Sequence, residues 1–208
     1  MSNVPVDANA LTHEDPPTNP FAAFLSYLIP GLGQIYQGRI GKGLLFFVCV
    51  YTLFFMGTYF GSGTAQIKTK ASDDPIAYEE EVYTVTSNVY LPDTAEQNNP
   101  FNLPRVLANL YNRPQFAGQF WVGIAAWPAI WQYINYNRRQ DHGDTFLADF
   151  QRTPNDKSLN ALHTSGDKTL ELAWVFTVIA GVLNVMVIYD ALAGPAFPPG
   201  TDQDEATA

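Results

Sequence analysis

Little in this chain invites redox, metal or nucleic-acid chemistry. Cys49 is the single cysteine among 208 residues and sits inside an apolar run, so no intrachain disulfide can form and a cysteine-based zinc site lacks ligands. Histidine is scarce as well, and His13, His142 and His163 cannot be combined into a Ser-His-Asp or Cys-His arrangement by any recognised spacing. Only 11 Lys and Arg face 20 Asp and Glu, a formal charge of −9. The basic face that a phosphate backbone requires is missing, which excludes nucleic acid as a partner. Met1–Pro20 contains no Lys or Arg, several acids, and Pro16, Pro17 and Pro20, so it lacks the basic start of a secretory signal peptide.

What the chain does have is long apolar sequence, concealed by a mean hydropathy of −0.08. Charged residues are 15% of the total and fall almost wholly outside four blocks, Phe21–Tyr36, Gly43–Phe60, Phe116–Tyr136 and Leu172–Gly194. A helix rises about 1.5 Å per residue and a bilayer core is roughly 30 Å thick, so about 20 apolar residues span it. Gly43–Phe60 and Leu172–Gly194 show none of the polar stripe of a soluble core helix. Phe116–Tyr136 holds Gln119, Pro128 and Gln132, with Trp121, Trp131, Tyr133 and Tyr136 toward its ends. That pattern fits an aromatic belt, the alternative being an aromatic-rich helix buried in a soluble globule. Phe21–Tyr36 is short and interrupted by Pro30, Gly31 and Gly33, and it reads either as a full span or as a re-entrant segment.

The expected fold is therefore an all-α membrane protein with about four transmembrane helices and a partly β or irregular extramembrane loop between the second and third. Residues 1–19 read as a disordered acidic tail, 20–60 as a helical hairpin, 61–115 as a polar loop and 116–136 as the third span. Residues 137–171 read as a second polar loop, 172–194 as the fourth span and 195–208 as a disordered tail. Within the first loop, Glu81–Leu91 is rich in β-branched residues and Tyr, which suits a strand or hairpin. Asn98–Arg113 spaces Val106, Leu107, Leu110 and Tyr111 as a short amphipathic helix does. With four spans, Gln37–Lys42 and Asn137–Glu171 share a side holding seven basic residues, against four (Lys68, Lys70, Arg105, Arg113) on the other. The positive-inside rule then puts the seven in the cytoplasm, and both termini with loop 61–115 outside.

The most distinctive stretch is Pro30–Gly43, PGLGQIYQGRIGKG. It is not a P-loop: counting back from Gly41 and Lys42, Tyr36 stands where the first glycine belongs and Gly43 where the hydroxyl belongs. A dinucleotide fingerprint fails too, since Gly31-x-Gly33 has Tyr36 in place of the third glycine. Pro30, Gly31, Gly33 and Gly38 instead suit a tight helical hairpin whose Arg39 and Lys42 anchor the turn among headgroups, where they could also hold an anionic lipid or a partner.

With its preceding Asn19–Ile29 and following apolar helix, this segment resembles the hairpin of the two-transmembrane (TM-two) domain family and its bacterial relatives. Those hairpins carry a P-G-x-G-x-x-Y/F-x-G-R/K core, and the resemblance implies a cytoplasmic turn. Phe176–Leu192 likewise resembles the last helix of a bacterial family of uncharacterised multi-pass membrane proteins with such a hairpin near the N-terminus. This second resemblance implies topology and no activity. Asp190-Ala191-Leu192 departs from that family's aspartate-tyrosine-aspartate-type ending by lacking the second acid.

In the last block, Ala173, Thr177, Gly181 and Asn184 recur at spacings of three and four, a helix-packing stripe of small and polar side chains. Asn184 is costly against lipid and is expected to bond a neighbouring helix. Asp190 lies about 27 Å of rise beyond Leu172, at the interface where Arg113 enters the third span under the four-span topology, so an Arg113–Asp190 pair is expected. The acids around His142 (Asp141, Asp144, Asp149) and the run Asp73, Asp74, Glu79, Glu80, Glu81 lack any recognised metal spacing. The functional expectation is a non-enzymatic inner-membrane protein without cofactor or metal, a structural or accessory subunit whose partners are the bilayer and another membrane protein. The alternative is a component of a small-solute transporter or channel, with Gln119, Pro128 and Asn184 lining the path. A surface enzyme would require the acids of loop 137–171 to meet Arg39 and Lys42.

Overall fold

The protein is described by a computed structural model over residues 18–70, 78–85, 88–91, 103–135, 146–147, 150–154, 159–160, 163–164 and 168–194. The expected tails except for Thr18 and Asn19, most of the acidic clusters and Tyr136 lie outside these residues. The fold is mostly helical.

Helix α1 (Pro20–Leu28) starts where the Asn19 side chain accepts from the Ala22 N–H at 3.0 Å, with Pro20 at the first helical position. It cannot continue. Pro30 has no N–H to give Ser26 and forces the preceding Ile29 into extended geometry (φ −135°, ψ 119°). Gly31 then adopts φ +85° and the chain reverses into the short α2 (Leu32–Tyr36). A second left-handed glycine, Gly38, turns it into α3 (Ile40–Phe60), 21 residues long. The block Phe21–Tyr36 is thus two half-length helices rather than one span.

Strands β1 (Gly63–Lys70) and β2 (Tyr78–Val85) pair antiparallel, from Gly63↔Val85 to Lys70↔Tyr78. Of the strand expected over Glu81–Leu91, only the part to Val85 lies in β2. Asn88–Leu91 are buried in the helical body, where Val89 and Leu91 join its core. Helix α4 (Leu103–Asn112) follows, then α5 (Pro114–Gln119), a 3-10 stretch over Phe120–Ala126, and α6 (Trp127–Ile134).

The expected single helix Phe116–Tyr136 is therefore broken as well. Gly123 stands at φ 84°, ψ −135°, a conformation that only glycine adopts without strain. Its Cα lies so close to the Tyr27 and Leu28 carbonyls that a Cβ could not fit. Helix α7 (Thr169–Ala193, 25 residues) ends the described chain at Gly194.

Helices α3 and α7 are long and apolar enough to cross a membrane, and they are the two that meet this test among the described residues. They run antiparallel, with Lys42 beside Asp190 at one end and Gly57 against Ala173 and Thr177 at the other. Between these ends α7 serves as the axis. The first half-helix pair leaves from the Asp190 end, where the Asn19 N–H donates to the Leu192 carbonyl (2.9 Å), and returns there at Gln37, whose amide donates to the Ala191 carbonyl (2.6 Å). The second pair, α5 to α6, leaves from the Gly57 end, reaches the Tyr27–Leu28 tip of the first at Gly123, and turns back toward α4, where Asn109 donates to the Tyr133 hydroxyl. Two hairpins thus approach from opposite ends and meet beside the middle of α7. Close approach there depends on Gly181, where a Cβ would strike the Gly118 carbonyl. The core is formed by Val50, Phe54, Val89, Leu91, Phe116, Val122, Ala126, Ala129, Tyr133 and Ala180.

Two of the four expected spans, the first and third blocks, are therefore broken, and four membrane-length helices are not found among the described residues. Since the third block doubles back at Gly123 instead of crossing, the segment feeding α7 enters from the end opposite Arg39 and Lys42, not from the same side.

Candidate functional site

The strongest concentration of buried polar groups runs along one face of α7. At its upper end the Asp190 carboxylate receives Arg39 Nη2 on both oxygens (3.1 and 2.9 Å) and Lys42 Nζ on one (2.5 Å). Gln34 lies just inside: its amide nitrogen donates to Asp190 (3.1 Å) and to the Val187 carbonyl (2.8 Å), while its oxygen accepts from the Ser26 hydroxyl (3.0 Å). Ser26 Oγ in turn accepts from the Gly33 N–H, tying α1 to α2. Ser26 and Gln34 are both fully buried, so every polar contact here exchanges an unmet group for a met one.

At mid-helix the Asn184 carboxamide nitrogen donates to the Ser26 carbonyl (3.2 Å) and to the Trp121 carbonyl (2.8 Å). It therefore holds both broken hairpins at once. The Ser26 carbonyl needs that donor because residue 30, its helical partner, is proline. Further down, Gln119 donates to the Thr177 hydroxyl (2.8 Å) and the Asn88 carbonyl (3.2 Å), and Asn88 donates to the Gly57 carbonyl (3.2 Å). Asn184 Oδ1 and Gln119 Oε1 are buried acceptors without a partner among the described residues.

Of the residues singled out from sequence, Ala173, Thr177, Gly181 and Asn184 all lie on the buried face of α7. Pro30, Gly31 and Gly33 are buried in the first hairpin, and Gly38, Arg39 and Lys42 form its exit turn. The expected Arg113–Asp190 pair does not form, because the two groups sit at opposite ends of α7. Arg113 stacks on the Tyr90 ring (3.6 Å to its centroid) and donates to the Asn88 carbonyl (2.7 Å). The partners of Asp190 come from the hairpin turn. Gln119 is a fully buried crosslink.

Residues 21–203 match a protein family described as a family of unknown function, DUF6677. The chain belongs to that family. The match takes in the described helices from Phe21 of α1 to the end of α7, so the opposed hairpins and the polar face of α7 fall within the DUF6677 region. No curated protein and no solved structure matches the chain.

Ser26, Gln34, Asn88 and Gln151 were not anticipated. The signal for the first two was present, since they are polar residues within the first apolar block. Gln151 carried none: it stands in left-handed backbone (φ 54°) and closes the start of α6 by accepting from the Ala129 N–H (3.0 Å) and donating to the Ala125 carbonyl (2.7 Å).

Two cavities border this framework. One, of about 440 Å³, lies among α4, α5 and α6 and is lined by Val106, Leu110, Phe116, Phe120 and Ile130 among others. The other, of about 710 Å³, lies beside Trp127, Trp131 and Phe146. Neither reaches Asn184, and both have walls suited to hydrocarbon.

Proposed function

We propose that this chain is a multi-pass integral membrane protein with a structural or accessory role and no catalytic activity of its own. In this reading α3 and α7 cross the bilayer, about 31 and 37 Å of helix respectively, and the two broken hairpins are re-entrant from opposite leaflets. The observation that carries it is the Asn184 bridge, which joins both hairpin tips through a fully buried side chain. Polar residues are used there as glue between helices, not as the lining of an aqueous path. The outward faces of α3 and α7 expose Leu44, Leu45, Phe55, Val182 and Met186, a surface that lipid tails cover at no cost and water does not.

Lys68, Lys70, Arg105, Arg113 and Lys168 belong to described segments at the Gly57 end, against Arg39 and Lys42 at the other. The positive-inside rule then favours a cytoplasmic location for loops 61–115 and 137–168, with both termini outside. The turn Gln37–Lys42 goes with the termini, against the cytoplasmic turn implied by the TM-two resemblance.

Two steps test the reading. Membranes washed with alkaline carbonate should retain the full chain in the pellet, and its appearance in the supernatant would sink the membrane assignment. Purification in mild detergent should then yield a second membrane protein at constant stoichiometry; a chain recovered alone under several detergents would sink the accessory role. The unpartnered Asn184 and Gln119 oxygens favour a second reading, a component of a small-solute transporter or channel, which predicts ion or solute flux in proteoliposomes abolished by Asn184→Leu.

A further inference from the structure

We infer that the Arg39–Lys42 turn binds the phosphate of an anionic phospholipid headgroup in the leaflet on the side of the termini, an inference that rests on the membrane reading above. Its basis is a surplus of charge in a defined geometry. Arg39 and Lys42 share one counterion, Asp190. In the described segments that meet at this end, residues 18–43 and 184–194, these three are the only charged side chains, which leaves one positive charge uncompensated. Arg39 is already oriented, with Nη2 on Asp190 and Nη1 on the Gln37 side-chain oxygen (3.3 Å). A ligand would therefore meet a guanidinium whose rotamer freedom is largely spent. Lys42 remains open, its side chain 41% exposed, and an ammonium has three protons to give while Asp190 takes one.

The surroundings select the kind of anion. Phe21, Tyr36, Ile40 and Leu44 stand exposed around and below the turn, so a ligand that carries hydrocarbon next to its phosphate satisfies the whole surface. Free phosphate satisfies the charge alone. The competing anions are the chain's own acidic ends, Asp7, Glu14 and Asp15 before α1 and Asp202, Asp204 and Glu205 after α7.

The test uses the full chain in a zwitterionic detergent, offered equal amounts of phosphatidylglycerol and phosphatidylcholine, with retained lipid measured by native mass spectrometry. Phosphatidylglycerol should be preferred. Lys42→Gln should reduce that preference about fivefold, the worth of one basic residue at a membrane surface, whereas Lys42→Arg should keep it. Asp190→Asn, which frees both cations, should increase it. Equal retention of the two lipids, or a preference unchanged by Lys42→Gln in protein that elutes as the parent does, overturns the inference. Displacement of lipid by millimolar inorganic phosphate would assign the turn to free anions, and a preference seen only after removal of residues 1–18 and 195–208 would assign it to the acidic ends. Both overturn it. A chain that proves water-soluble fails the membrane reading instead, at the earlier carbonate step.

Discussion

Replacing Asn184 with Leu isolates what the carboxamide does, because the two side chains share the same heavy-atom count and branching at Cγ, so the outline presented by α7 is largely kept. Two buried hydrogen bonds are lost, at 3.2 Å to the Ser26 carbonyl and 2.8 Å to the Trp121 carbonyl. Each is worth about 1 kcal/mol, or nearer 0.6 where both states are within a bilayer. The Ser26 carbonyl is the worse casualty, since Pro30 offers it no N–H and it lies too deep for water; a buried acceptor left unmet costs about 1–3 kcal/mol. Together the substitution should destabilise the fold by about 2–3 kcal/mol, counting the Ser26 loss once. At about 2–4 °C per kcal/mol for a chain this size, the melting midpoint should fall by roughly 4–12 °C. Midpoints would be read from fluorescence-detected size exclusion of heated samples in one detergent. Thr52→Leu, on the exposed face of α3, serves as control. A midpoint for Asn184→Leu within 1 °C of the parent would refute the bridging role and with it the reason for the hairpins meeting at α7.

Three further outcomes follow from the same geometry. Gly123→Ala should cost about 1–3 kcal/mol in backbone strain plus displacement of the Tyr27 carbonyl. Gly38→Ala, also left-handed but with open space beside it, should cost only about 1–2 kcal/mol; equal monodisperse yields of the two variants would contradict the close approach at Gly123. In double-mutant cycles of thermal stability, Arg39→Gln and Asp190→Asn should couple by more than about 0.5 kcal/mol while Arg113→Gln and Asp190→Asn should add within that margin. The reverse pattern would restore the discarded pair. Finally, a C-terminal alkaline phosphatase fusion should be active and a green fluorescent protein fusion dark, and the opposite result would invert the proposed orientation.

The sequence announced α3 and α7 because an unbroken apolar run of span length has few other uses. It also announced the packed face of α7, since Ala173, Thr177, Gly181 and Asn184 keep a helical period. The breaks were half legible. Pro30 and Gly31 were visible as interruptions, and a re-entrant path was an open alternative for that block. In the third block Gly123 gives no such signal, since a single glycine within an apolar helix is ordinarily tolerated, and only its contact with α1 requires the left-handed conformation. With that block read as a crossing helix, counting puts Asp190 and Arg113 on one side, and the wrong partner follows. A polar contact over 151 positions in sequence, such as Arg39 to Asp190, leaves no local trace that periodicity or spacing could reveal. Gln151 shows the same limit, being an unremarkable polar residue whose task is set by a backbone far from it in sequence.

That α7 carries the contacts of both hairpins has a consequence for synthesis. Among the described helices it is the last to be translated, and until it arrives the carbonyl freed at the Pro30 break and the cations at Arg39 and Lys42 lack the partners that Asn184 and Asp190 supply. The segment from Pro20 to Lys42 must therefore wait unsettled while residues 43–168 are made, and a transcript cut short before residue 169 would release that segment without the helix it docks on.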